Sequence, residues 1–444
     1  MTSLDCDQIL FVAPSAYPMG GVAVWLHYLV DGLTKRGVAC HVGLVDGDYH
    51  NVDSYLLEYS FNCPIIRIKN LSNTQYGRVD AIKNAVLDVE ATTVVSVNIP
   101  DVFEAVTQLK LTGRKIRSVM TLHALEADYF GDIKQLGCQI DAVIVTNELT
   151  RKMISSYTQF DQKRVFYAPY GVEVTGVLEQ KEMASPVVIS FIGRLDQDQK
   201  RCMDLLEFVE YLEASGKEYV LQIIGEGNYK RKLLNKMSSF IDNDKVVYLG
   251  KLPNKQLMDE ILPQTDVLIL TSSWETGPIV IWEAMSRGVV VLSSRYIGSE
   301  SEKALVHKLN CLLFDIGDIK GAVKALDFLN NERDFQALRK QAYQMVTLRY
   351  SRKSSIDQWF DTFNSIAKNT SLKLADSRVK RWASIGRIEH FFGHKWGHKI
   401  RMITGKLGYL DSAGSEWPHS YAHISSDEKN TFDEALARLE IRAK

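Results

Sequence analysis

From QILFVAP at residues 8–14 to CLLF at 311–314, short apolar runs alternate with amphipathic helical segments, and few folds accommodate that pattern. Runs such as TVVSVN (93–98), AVIVT (142–146), VLILT (267–271) and VVVLSS (289–294) carry no polar alternation, so both of their faces must be covered. Strands of that kind, separated by helices, predict an α/β chain with mostly parallel, doubly wound sheets. The opening is a βαβ unit: QILFVAP, the glycine-bearing loop SAYPMGG, the helix VAVWLHYLVDGLTKRG and the strand VACHVGLV. Val22, Leu26, Leu29, Val30 and Leu33 recur at helical spacing, and Arg36-Gly37 reads as a helix stop.

The alternation pauses at VEVTGVLEQKEMASP (172–186) and then restarts with PVVISFIG. Two Rossmann-like domains facing a cleft are therefore expected: residues 1–172, a linker over 173–186, and residues 187–350. A helix over 351–370 is expected to cross back to the first domain, with a basic, aromatic extension over 371–444. A chain of 444 residues is too long for one ordinary core, which agrees with two domains. Gly216 and Gly288 fall where αβ loops need a helix stop.

Charge is balanced, with 53 Lys+Arg against 54 Asp+Glu, so nothing global points to nucleic acid. The six cysteines are scattered without a CxxC pair, as expected of thiols in a reducing compartment. The acidic N-terminal stretch MTSLDCDQ and the lack of a long apolar run predict a cytoplasmic protein that does not span a membrane. One local bias stands out. Residues 371–406 hold nine basic and two acidic residues interleaved with Trp382, Phe391, Phe392 and Trp396. That composition suits a peripheral contact with an acidic lipid surface or an acceptor, or a satellite helix on the first domain. His390, His394 and His398 sit at i, i+4 and i+8, but Gly393 and Gly397 weaken the helix and no carboxylate or cysteine completes a zinc set.

The stretch SSWETGPIVIWE (272–283) carries the chemistry. It places Glu275 in the loop after the buried run VLILT and Glu283 on the following helix. Pro278 is expected at the helix's first position, with the amides near Ile279 and Val280 offering an anion seat. Chance supplies about 6 or 7 acidic pairs at any one separation in a chain with 54 acids, so the spacing alone decides nothing. Context adds Arg194 and Lys200 (or Arg201) in FIGRLDQDQKR, after the first strand of the second domain, where two cations suit a diphosphate.

GRLDQDQK, QIIGEGNY, VVYLGKLP and ETGPIVIWEAMSRG together resemble, in order and spacing, the donor half of glycosyltransferase family 4, retaining enzymes of the GT-B fold. MGGVAVWLHYLVDGLTKRG, TLH and YAPYGVE are similar to the family's segments in the other half. The resemblance implies that Gly20 and Gly21 let backbone approach the donor phosphate and the acceptor, and that His123 contacts the transferred sugar. It implies that Arg194 and Lys200 bind the diphosphate, Glu275 holds sugar hydroxyls, Gly277, Ile279 and Val280 line the donor, and Glu283 holds the ribose. Departures are Thr276-Gly277-Pro278 where the family reads Gly-Phe-Gly, Tyr170 where it reads Asn, and Gly288-Val289-Val290-Val291 where it reads Gly-x-Pro-Val-Val.

The activity so implied is a metal-independent hexosyltransferase with no cofactor, using a nucleotide-diphosphate sugar as co-substrate and a glycan or lipid-linked glycan as acceptor. Alternatives are a sugar-nucleotide epimerase on the same scaffold and a non-catalytic sugar-nucleotide-binding protein. The triplets Asp46-Gly-Asp48, Asp196-Gln-Asp198 and Asp242-Asn-Asp244 read as loops rather than metal sites, and Lys230 breaks a dinucleotide fingerprint in GEGNYK. Alanine at Lys200 or Glu275 is expected to lower kcat far more than stability.

Overall fold

The computed structural model describes residues 8–16, 20–369, 387–404 and 410–441. Its chain divides into two compact units, Met1–Ala168 with Ile356–Leu436, and Pro169–Ser355 with Ala437–Lys444. The division falls between Ala168 and Pro169, ahead of the expected linker, so residues 169–186 group with the second unit. Among them, Val172 bridges Ser351 and the Pro169 carbonyl accepts from Ser355 Oγ at 2.8 Å.

In the first unit the strands are β1 (Gln8–Pro14), β2 (Ala39–Asp46), β3 (Ile65–Lys69), β4 (Thr93–Val97), β5 (Arg117–Leu122), β6 (Ala142–Val145) and β7 (Val165–Tyr167). They form one parallel sheet in the order β3-β2-β1-β4-β5-β6-β7. The second unit holds β8 (Val187–Ile192), β9 (Tyr219–Ile224), β10 (Val246–Gly250), β11 (Val267–Leu270), β12 (Val290–Ser294) and β13 (Leu312–Phe314). Its order is β10-β9-β8-β11-β12-β13, the same winding. Each sheet changes direction at its centre, between β1 and β4 and between β8 and β11. Loops leaving those paired strands diverge, and that is where such sheets bind ligands.

The apolar runs earn these positions. β4, β6 and β11 are buried along their whole length, as strands covered on both faces must be. Helices begin where short polar side chains cap them: Thr74 Oγ1 accepts from the Gly77 amide at 3.0 Å, and Asn147 Oδ1 from Thr150 at 2.7 Å. Gly37, Gly216 and Gly288 follow helix ends at φ of 83°, 68° and 71°, as their placement predicts. The segment 230–242 breaks at Met237 into two short helices, and 254–264 is one helical run with a π turn over Leu257–Ile261. Strand β7 is too short to stand out from its neighbours in sequence.

The far C-terminal residues are not a loose appendage to the first unit. Trp417 is buried in a core with Leu10, Val12, Val45 and Ile68. Glu416 turns its carboxylate into three consecutive amides beyond β2, those of Asp48, Tyr49 at 3.0 Å and His50 at 3.1 Å, with His50 Nδ1 at 3.0 Å. A Cβ on Gly47 would overlap that carboxylate, so glycine is required there. These donors hold the Glu416 carboxyl below its ordinary range in spite of burial. Further along, Tyr421 bonds Asp101, and the Tyr421 and Ala422 amides both donate to Asp132 Oδ1 at 2.9 Å. Glu416→Gln places an amide NH2 against those donors. It is expected to cost about 2 kcal/mol, read as a lower midpoint in urea.

Among the described residues no helix is long and apolar enough to cross a membrane, and no three His, Cys, Asp or Glu side chains converge as a metal set would. The histidine row is interrupted at Gly393, whose φ of 74° and ψ of 164° kink the helix Arg387–Thr404. His398 Nδ1 is instead hydrogen-bonded to Ser72 Oγ at 2.7 Å. All of 371–386, the basic heart of the extension with Trp382, lies outside the described residues.

Candidate functional site

At the centre of the second sheet, the loops after β8 and β11 are stitched together. Asp196 Oδ1 accepts from the Gln199 and Lys200 amides, both at 2.9 Å, which folds 196–200 into a tight turn. Thr271 Oγ1 donates to the Lys200 carbonyl at 2.7 Å and the Ser273 amide to the Gln199 carbonyl at 2.7 Å. This stitching needs close backbone packing from the β9 loop as well. A Cβ on Gly225 would fall on the Gly193 carbonyl oxygen and one on Gly227 on that of Leu195, so GEG in QIIGEGNY is a packing device rather than a nucleotide fingerprint.

Lys200 Nζ donates to Glu275 Oε1 at 2.6 Å, and Ser272 Oγ reaches the same oxygen at 2.6 Å. Gln199 Nε2 donates to Glu275 Oε2 at 3.3 Å and to the Trp274 carbonyl at 3.2 Å. Glu275 is 7% exposed, so its charge is held by named donors rather than by water. Arg194 reaches Gln199 Oε1 through its guanidinium and lies 3.6 Å from Asp196, with 69% of its side chain exposed. The structure thus brings Arg194, Lys200 and Glu275 together. Gln199 and Ser272 complete the group, and no spacing rule singled them out, because a Gln or Ser inside a loop has no sequence signature of its own.

Gly277 follows with φ of 96°, a conformation that favours glycine. Pro278 is the residue before the helix Ile279–Ser286 rather than its first, since its ψ is 94° and its carbonyl accepts from the Ile281 amide at 2.9 Å. With proline outside the helix, Ile279 and Val280 both keep first-turn N–H groups. Tyr170 lies beside this turn, 3.7 Å from where a Gly277 Cβ would stand, so two departures from the family pattern are neighbours in space. Gly277→Ala is expected to cost about 1 kcal/mol through its positive φ, measured as a lower Tm.

Glu283 stands apart from that group. It is half-buried and accepts from Asn254 Nδ2 at 2.8 Å, a partner from a distant helix that no motif announced. Burial raises its carboxyl above the ordinary range, opposed by Asn254 and by the charges of Arg352 and Arg287. Trp282 stacks on Tyr350 with ring centroids 4.2 Å apart, fixing the helix that carries Glu283.

In the first unit, Gly20 precedes the helix Gly21–Thr34 and accepts from the Ala23 amide at 3.0 Å through its carbonyl. His123 follows β5, buried, with Nε2 2.9 Å from Thr121 Oγ1 and its ring 4.5 Å from that of Trp25. Burial lowers its pKa from 6.5 to about 3, so the imidazole is neutral at neutral pH. Gly20, Gly21 at its helix start and His123 therefore belong to the first unit, while the remaining candidates belong to the second.

Residues 179–345 match the family model described as glycosyl transferases group 1. The chain is 22% identical over 292 residues to N-acetyl-alpha-D-glucosaminyl L-malate synthase of Bacillus anthracis, covering 61% of this chain and 74% of that protein. It is 23% identical over 207 residues to lipopolysaccharide 1,6-galactosyltransferase of Escherichia coli, covering 46% of this chain and 55%, about half, of that one. Among solved structures, Anabaena HepE in complex with UDP and glucose superposes with a TM-score of 0.65 at 15% identity, covering 81% of this chain and all of HepE. That likeness speaks to the fold. Residues 179–345, within the second unit, thus resemble the group 1 glycosyltransferases, in a chain of the GT-B fold.

Proposed function

We propose that this protein is a retaining glycosyltransferase that moves a hexose-type sugar from a nucleoside-diphosphate sugar to a glycan or lipid-linked glycan, without a metal. The observation that carries the reading is the Lys200–Glu275 pair with Arg194 beside it, at the point where the second sheet changes direction. Two cations and the first-turn amides of Ile279 and Val280 suit a diphosphate, and a carboxylate held ready by Lys200, Ser272 and Gln199 suits sugar hydroxyls. Glu283, with its separate partner Asn254, suits the ribose. Relatives named as acting on lipopolysaccharide support the acceptor class.

In this reading the bond from the anomeric carbon to the diphosphate oxygen breaks as the acceptor oxygen bonds to the same face of that carbon. The acceptor's proton passes to the departing phosphate oxygen, and Arg194 and Lys200 stabilise the charge that develops there. Neutral His123 contributes a hydrogen bond to the sugar rather than a proton. Gly20 and Gly21 let the backbone come close to the donor phosphate and the acceptor.

A thermal-shift panel of nucleoside diphosphates and their sugars, followed by transfer to a glycan acceptor with EDTA present, tests this. Stabilisation by a diphosphate sugar and metal-free transfer are expected. Conversion of donor with no acceptor would favour an epimerase, and binding with no release of sugar a non-catalytic protein.

A further inference from the structure

Beyond its donor site, the chain displays a built surface on the helix Arg387–Thr404. Past the kink at Gly393, the exposed side chains are Lys395, Trp396, Lys399, Met402 and Ile403, followed by Thr404 at the helix end; the first five share a pattern. Their spacing of i, i+1, i+4, i+7 and i+8 defines one helical face. The face carries large apolar groups: Trp396 is 63% exposed and Ile403 86%, and Phe392, just before the kink, is 60% exposed. The opposite side is committed to the protein, since Gly397 is buried and His398 meets Ser72 at 2.7 Å and the Tyr76 ring at 5.3 Å.

We infer that this face docks the first unit on a bilayer surface containing anionic lipid. Charge selects the occupant. No Asp or Glu occurs between His394 and Thr404, whereas Lys395, Lys399 and Arg401 do. Lysine stems can lie along the apolar stripe with their ammonium groups at phosphate level, and tryptophan suits the headgroup boundary. A second copy of the chain is a poor fit, because a two-fold contact through this face would set lysine against lysine. The anchoring is firm on the protein side. The helix rests on Gln75–Asp88, and the segment beyond it is pinned by Trp417 and Glu416, so docking would orient the first unit rather than tether it loosely.

The test is flotation of the full chain with vesicles of phosphatidylcholine alone or mixed with phosphatidylglycerol, at low and high salt. The wild type is expected to float with the mixed vesicles and not with the neutral ones. Lys395→Gln with Lys399→Gln should weaken binding about 10- to 30-fold at low salt. Trp396→Ser with Ile403→Ser should abolish flotation while Tm is kept, since all four side chains are exposed. Equal binding to both vesicles, no flotation, or no effect of the substitutions would overturn the inference. So would a wild-type dimer that these substitutions dissociate. The readout is lipid binding alone, so it stands or falls separately from the transfer reaction.

Discussion

Replacing Arg194 by alanine is expected to lower kcat by about 100-fold or more while moving Tm by only about 1 to 2 °C. The guanidinium is 69% exposed and its contacts are to Gln199 and Asp196 in its own loop, so little of the fold depends on it. A departing diphosphate, in contrast, gains charge in the transition state, and removal of one well-placed donor typically costs 10²–10³ in rate. Lys200 is a poorer probe than its sequence suggests. Its ion pair with Glu275 at 2.6 Å neutralises a carboxylate that is 7% exposed. Breaking such a pair costs about 3–5 kcal/mol where nothing else compensates, softened here by Ser272 and Gln199. The expectation that alanine at Lys200 or Glu275 spares stability is therefore corrected, and a combined loss of kcat and Tm is expected of both. An Arg194→Ala enzyme with wild-type kcat, measured with the true donor and acceptor, would remove the cation from the mechanism.

Acid should destabilise the first unit through His123. Its folded pKa is about 3, against 6.5 when unfolded, because burial disfavours the charged ring. The folded state therefore binds fewer protons than the unfolded one between those values. The contribution is fully present above pH 6.5 and is lost as pH falls toward 3, at about 1.4 kcal/mol per pH unit. Other groups titrate in the same window. Burial pushes Asp132 up to about 7, which gives the opposite slope, and His50 is also lowered by burial. The comparison that isolates His123 is urea unfolding of wild type against His123→Gln across pH 4 to 7. The wild-type curve should fall more steeply on acidification, and parallel curves would show that the ring is not the titrating group.

Much of the architecture was legible because it follows from short-range physics. Strands covered on both faces must be continuously apolar, and TVVSV and VLIL are. The glycine stops at Gly37, Gly216 and Gly288 follow from a backbone conformation that other residues adopt at a cost. Local pattern also placed Arg194 and Lys200 after β8 and Glu275 after β11. It did not show that Lys200 and Glu275 neutralise each other, because that depends on two loops 75 residues apart meeting where the sheet changes direction.

What the chain order by itself determined, then, is the alternation, its pause and restart, and the loops that carry charge, since each depends on neighbours within about one helix or strand. Only the tertiary structure decided which charges are paired, that Pro278 stands outside its helix, and that Trp417, Glu416 and Tyr421 complete the first unit. The Lys200–Glu275 pair joins residues 75 apart, and the contacts of Glu416 with His50 and of Tyr421 with Asp101 join residues 366 and 320 apart. Burial and partner geometry, not local propensity, set their energies there.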